Sequence, residues 1–298
     1  MAAASNLRAQ PFHVASQPLP IKEGRTFVKL EGVYFSGLDE YTIDGTRQRL
    51  YSLYPIADAT YSDSRVGFQY EYGLTDRLTF ATRLAYRFVN SDYVNNVDPR
   101  PTLNDRRRSV NAAGFDDLWL SVRYGLVMPG ALVVPFTLSV QGGLKIPTGD
   151  LNTTIPLGTG VVDYDVRLLG QLSFALAGAP SYLNAEFGYR LRGGDYAAQQ
   201  PFSIEFGYQA AKEVLLRGSI SGMISNGNFI YPVGIAEKPR DPNDFVITVV
   251  GDGGYTLAAI GFEFSFSSSF AVSFDYAPTL QGRRAFAGDA FFVSLIFR

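Results

Sequence analysis

Cysteine is absent from this 298-residue chain, and histidine and tryptophan occur once each. The first absence excludes disulfide staples and thiolate metal sites. Histidine, the commonest general base, is represented only by His13 in a proline-containing N-terminal stretch, so a Ser-His pair would have to recruit it from there. No catalytic residue, enzymatic activity, metal or cofactor is therefore expected. Surplus charge is lacking too: the net charge is −2 and no basic stripe stands out, which argues against a nucleic-acid partner. No run reaches the roughly 18 to 20 uncharged apolar residues that a spanning helix needs, which excludes a helical membrane protein. The opening stretch MAAASNLRAQPFHVASQPLPIKEGR has no apolar core like that of a secretory signal. It reads as a mature form carrying an added Met, with residues 1–24 an extended tail.

What the chain does have is alternation. In VGFQYEYGLTDRLTFATRLAYRFV, Val66, Phe68, Tyr70 and Tyr72 alternate with Gly67, Gln69 and Glu71. Beyond the reversal Leu74-Thr75-Asp76-Arg77, the side chains Leu78, Phe80, Thr82, Leu84, Tyr86 and Phe88 share one side, with Arg83, Ala85 and Arg87 opposite. This period of two defines an antiparallel hairpin with two chemically different faces.

Similar segments recur at 26–36, 64–73, 78–89, 115–126, 132–146, 161–176, 182–192, 201–210, 213–225, 254–266, 270–278 and 289–298, about twelve in all. Residues 47–59 are also strand-like and are placed as an extension within the first long loop. Connections alternate in length: LTDR, MPGA, AGAPS, AAK and SSS are short, whereas 37–63, 90–114, 147–160, 193–200, 226–253 and 279–288 are long and mostly rich in Gly, Pro, Asn and Asp. Short turns on one side and long loops on the other, with an even number of strands, are the pattern of bacterial outer-membrane barrels. The expected fold is all-β, a closed antiparallel transmembrane β-barrel of about twelve strands over 25–298, in the outer membrane. With 18 Tyr and 23 Phe there is ample material for interfacial girdles.

The two faces settle which solvent each meets. One collects Phe68, Phe80, Leu84, Leu120, Val122, Phe136, Val166, Leu168, Phe187, Ile220, Ile260, Phe262 and Phe274. The other holds Lys29, Arg65, Arg83, Arg87, Arg123, Lys145, Arg167, Arg190, Arg192 and Arg217 with Glu31, Glu71, Asp117, Asp163, Asp165, Glu186, Glu205, Glu263 and Asp275. A dry soluble core would charge several kcal/mol for each such ion, so the apolar face is assigned to lipid and the charged face to a lumen. Candidate residues for binding or selectivity are Arg83, Arg87, Arg123, Lys145, Asp163, Asp165, Arg167, Glu186, Arg190 and Glu205. Five arginines on the inner face of neighbouring strands are expected to face carboxylates such as Glu186 and Glu205 across the barrel.

Other motifs carry less. Asp163 and Asp165 stand two apart on one strand face and read as partners for arginine rather than a hydrolytic dyad. TGDLNTTIPLGTG (148–160) lacks the Gly-Lys-Ser/Thr ending of a phosphate loop. The Asp- and Asn-rich stretches PRPTLND and DPNDFVITVVGDGG fit no calcium-loop template. Arg106-Arg107-Arg108 reads as a solvated loop tip rather than a phosphate or lipopolysaccharide contact.

EYGLTDRLTFATRLAY, GFDDLWLSVRYGL, GLKIPTGD and LGTGVVDYDVRLLGQLSF resemble blocks of the meta-pathway phenol-degradation family of outer-membrane β-barrel transporters. The resemblance runs from about Tyr70 to Phe174, over a third of the chain, and the final DAFFVSLIF is similar to a barrel C-terminal signal, although Arg298 follows Phe297. It implies a barrel that passes small, hydrophobic or aromatic molecules; it transfers no binding residues. The barrel itself is expected to be a monomer in contact with lipid, lipopolysaccharide and a small-molecule solute. The alternative expectation is a structural or interaction barrel whose lumen is closed by ion pairs and whose loops 90–114 and 226–253 bind a partner.

Overall fold

The computed structural model describes residues 17–50, 52, 56–96, 106–131, 134–153, 155–227 and 251–298. Fourteen β-segments run β1 (Thr26–Tyr41), β2 (Arg47–Arg49), β3 (Ile56–Thr75), β4 (Leu78–Asn95), β5 (Arg107–Phe115), β6 (Leu118–Val127), β7 (Phe136–Ile146), β8 (Asp163–Leu176), β9 (Ala179–Arg192), β10 (Gln199–Ala211), β11 (Val214–Ser225), β12 (Gly254–Ser265), β13 (Phe270–Arg283) and β14 (Ala285–Phe297). All pairings are antiparallel, and β14 returns to β1 through Val28↔Phe297, which closes the barrel.

Twelve wall positions hold these fourteen segments. The short β2 folds back on the tip of β1 through Asp39↔Arg49. β5 and β6 occupy one position: both pair with β4, β6 through Leu78–Arg83 and β5 through Tyr86–Val94, with a break at Asp116 and Asp117. The expected count of about twelve strands therefore holds for the wall.

Strands β1, β3 and β4 have 16, 20 and 18 residues, well beyond the ~9 to 11 that cross a bilayer at a tilt, so they project past the membrane on the long-loop side. The segments expected as loops at 37–63 and 90–114 are thus largely strand. Their Ser, Asn and Asp side chains break the apolar alternation because no lipid lies beside them. Likewise 279–288 is not a long loop: β13 continues to Arg283 and reverses through Arg284, which has φ 48°.

The outer face is apolar. Its most exposed large side chains include Ile260 at 69% and Phe187 at 59%, exposures unsupportable in water for so continuous a surface and natural in lipid. At the short-turn end, Phe264, Phe266, Phe270 and Phe297 follow one another at ring separations of 4.8, 5.5 and 5.2 Å, part of an interfacial aromatic girdle.

The N-terminal approach is held inside the same end. Ser139 Oγ donates to the Pro18 carbonyl at 2.6 Å, Ile21 N donates to Thr79 Oγ1 at 2.8 Å, and Gly24 N bonds Gly73 O at 2.9 Å. A Cβ on Gly73 would stand 2.1 Å from the Lys22 carbonyl oxygen, so only glycine admits this segment. Residues 1–16, including His13, lie outside the described residues.

Candidate functional site

Along the lumen the inner face falls into three zones. At the long-loop end it is apolar. Phe35, Tyr61, Val89, Tyr93 and Phe286 are buried inside the wall with Ile155 and Leu157, and Tyr61 stacks on Phe286 at 3.8 Å between ring centroids. Ile155 and Leu157 belong to the β7–β8 connection, which folds into the barrel instead of standing out from it.

The anchor of that connection is Asp117, at the break between β5 and β6. Its carboxylate accepts the amides of Gly149 and Thr159, each at 3.1 Å, and the Thr159 hydroxyl at 3.2 Å. It also pairs with Lys145 at 3.1 Å. Thr148 Oγ1 adds a clasp, accepting from Leu118 N and donating to Asp116 O, both at 3.0 Å. Gly149 and Gly158 pass so close that a Cβ on Gly158 would meet Asp117 Oδ1 at 2.4 Å. The Gly- and Asp-rich segment that superficially suggested a phosphate loop is thus an inward fold stitched to the wall.

Beneath it lies a belt of buried charge. Asp63 receives Arg65 at 2.5 Å and Arg87 at 2.7 Å, and Arg87 Nη1 also donates to the Leu157 carbonyl at 3.0 Å. Lys145 bridges Asp117 to Asp163, the latter at 2.9 Å. Asp165 receives Arg167 at 2.5 Å and Arg190 at 3.2 Å, while Arg167 Nη1 reaches Glu186 at 2.7 Å. The Arg190 guanidinium also covers the Trp119 ring at 4.4 Å. Removed from bulk water, such pairs are held by low dielectric, and breaking one is costly even where forming it gained little.

Of the ten residues singled out from the sequence, Arg87, Lys145, Asp163, Asp165, Arg167, Glu186 and Arg190 meet in this belt. The other three stand apart: Arg123 pairs with Glu71, Arg83 approaches Glu31 at 3.6 Å, and Glu205 accepts Tyr182 OH at 2.8 Å. Glu186 lies beside Arg167 on the neighbouring strand, not across the barrel, so the arginines meet carboxylates locally. Asp63 was missed because it sits in a stretch read as loop, with the Asp63-Xaa-Arg65 spacing as the available signal; Asp252, which pairs with Arg192 at 3.4 Å and accepts the Ala197 amide at 3.0 Å, was missed for the same reason. Of the proposed partner-binding loops, 97–105 and 228–250 lie outside the described residues.

Two cavities flank the belt. One of about 100 Å³ sits beside the inward fold, with Trp119, Leu157, Met223 and Tyr255 as its apolar surfaces. The other, of about 400 Å³, occupies the short-turn half of the lumen next to Pro18 and Leu19.

No family model and no curated protein matches the chain. Among solved structures it is similar to the COG4313 outer membrane channel from Pseudomonas putida F1, with a TM-score of 0.66 and 13% identity over 96% of this chain and 99% of that one. The NanC porin (TM-score 0.47, 9% identity, 91% and 99% covered) and the Ralstonia pickettii toluene transporter TbuX (0.43, 11%, 93% and 90%) are more distant in shape. The fold is that of a bacterial outer-membrane β-barrel.

Proposed function

We propose that the chain is a monomeric outer-membrane channel for small, apolar or aromatic molecules, set in lipid and lipopolysaccharide. The observation that carries this reading is the pair of cavities in series inside one closed wall, about 100 and 400 Å³, each mixing apolar surface with charge. Each cavity is narrowed by a hydrogen-bonded segment in its lining, 147–162 beside the first and 17–25 beside the second, whose displacement breaks no wall strand. The fold shared with the Pseudomonas putida channel supports the same reading.

The ten sequence candidates serve here in selectivity: the belt from Arg87 to Arg190 excludes bulky ions, and Arg83, Arg123 and Glu205 set the charge nearer the short-turn end. No step of chemistry on the solute is involved, and the chain is not an enzyme in this reading.

The buried ion pairs favour a second reading, a structural barrel permanently closed by its own charges, with partner-binding extracellular loops. Reconstituted liposomes separate the two. The channel reading expects them to admit toluene, phenol or benzoate faster than protein-free liposomes; uptake no faster than that baseline removes it and leaves the closed barrel.

A further inference from the structure

The larger cavity carries seven charged side chains, and six of them form pairs. Lys29 pairs with Glu31, Arg217 with Asp275 at 2.7 Å, and Arg298 with Glu263 at 2.5 Å. The seventh is Glu205 on β10. Its carboxylate is held by two neutral donors, Tyr182 OH at 2.8 Å and Asn184 Nδ2 at 3.4 Å, and among the described residues no cation forms an ion pair with it. Arg217, the guanidinium nearest in kind, is turned to Asp275 through two bonds from the same nitrogen, at 2.9 and 2.7 Å.

A second group points the same way. Asn184 Oδ1 is a buried acceptor that no donor of the described residues reaches. A buried acceptor without a partner is costly, and it lies beside the half-buried Glu205 carboxylate, which feels the Arg217 charge but forms no ion pair with it, the two side by side on β9 and β10 in register as Asn184↔Glu205. What satisfies both is a group with several N–H donors and one positive charge. Phe27, Leu215, Leu257 and Phe292 give the cavity wall an apolar share, among polar side chains such as Gln69, Gln171 and Ser219, and that share suits a hydrocarbon or aromatic body.

We propose that this cavity binds the ammonium end of small aromatic or aliphatic amines, with Glu205 as counter-ion and Asn184 Oδ1 as second acceptor. The site deepens the channel reading by naming a solute class, and it rests on that reading for its role in passage but not for binding itself.

The test is equilibrium binding to the full chain in detergent, by calorimetry, with 2-phenylethylammonium and the neutral 2-phenylethanol. The wild type should prefer the amine by about tenfold to a hundredfold, the range for one charge-assisted hydrogen-bonded contact. Glu205→Gln should erase that preference while leaving the alcohol's affinity unchanged, and Asn184→Ala should reduce it partway. Equal affinity of the wild type for both probes overturns the proposal whether or not the variants fold, as does a preference that survives Glu205→Gln. Liposome uptake of the same amine then separates the two claims: binding without uptake retains the site and removes the channel, whereas toluene uptake without amine preference does the reverse.

Discussion

Replacing Asp117 by Ala should release the inward fold. The substitution removes the acceptor of two backbone amides and one hydroxyl, at 3.1, 3.1 and 3.2 Å, and one of the two carboxylates that hold Lys145. Hydrogen bonds to a charged group contribute about 1.5 to 3 kcal/mol each, but these share one carboxylate and are not additive. Taking the whole set as equivalent to breaking one buried pair, about 3 to 5 kcal/mol, shifts the balance between seated and released loop by a factor of roughly 150 to 5,000. The wall should survive, because Lys145 keeps Asp163 at 2.9 Å and strand pairing is untouched. Single-channel recording should show larger or more frequent open levels than the wild type, and limited proteolysis should gain a cut between 148 and 160. Gly158→Ala should reproduce both effects by collision with Asp117 Oδ1. Unchanged currents and an unchanged cleavage pattern in a variant that still migrates as a folded barrel would refute the assignment of Asp117 as the anchor.

Gly73→Val should displace residues 21–25 from the short-turn end, since its Cβ would stand 2.1 Å from the Lys22 carbonyl oxygen; increased conductance without loss of folding is the expected result, and unaltered conductance counts against an occluding role for that segment. Ile260→Arg, at an outward position midway along β12, should weaken insertion by about 2 to 4 kcal/mol in a denaturant titration with lipid, whereas Ser219→Arg, facing the lumen opposite Ala259, should cost much less. Equal damage would contradict the division into lipid and lumen faces. Arg123→Ala should destabilise by about 3 to 5 kcal/mol because it strands Glu71 in a buried site, and the double variant with Glu71→Gln should recover a large part of that loss. Additive losses in that cycle would show that the pair is not coupled.

The wall was legible from the sequence because lipid on one side and charge on the other leave a period of two that no soluble sheet with so many inward ions would keep. Thus Arg87, Lys145, Asp165, Arg167 and Arg190 were assigned inward from alternation alone. The ends of the strands were less legible. Outside the bilayer the outer face has no reason to be apolar, so Ser62, Asp63, Asn90 and Ser91 look like loop although they continue the ladder as Asp63↔Val89 and Ser62↔Asn90. The interior of the long-loop end was not anticipated, because Phe35, Tyr61 and Phe286 carry the same residue types as the lipid face and alternation does not say which apolar stretch faces in. The inward fold of 147–162 escaped for a related reason: its contacts with Asp117, and the close approach of Leu157 to Gly114, where a Cβ would stand 2.7 Å from Leu157 Cδ1, join distant parts of the chain, and the local sign was only the apolar Ile155-Pro156-Leu157 within a polar loop. Glu205 was named as inward, but its lack of a cationic partner depends on where Arg217, Asp275 and Glu263 meet in space.

Whether the lumen passes solute is tested most directly by reconstituting the purified chain in planar bilayers and in liposomes, with Asp117→Ala alongside the wild type. A channel predicts discrete conductance steps and faster entry of small aromatic solutes for the wild type, both increased when Asp117 is lost. A folded wild-type barrel that neither conducts nor admits solute, with the variant equally silent, would contradict it.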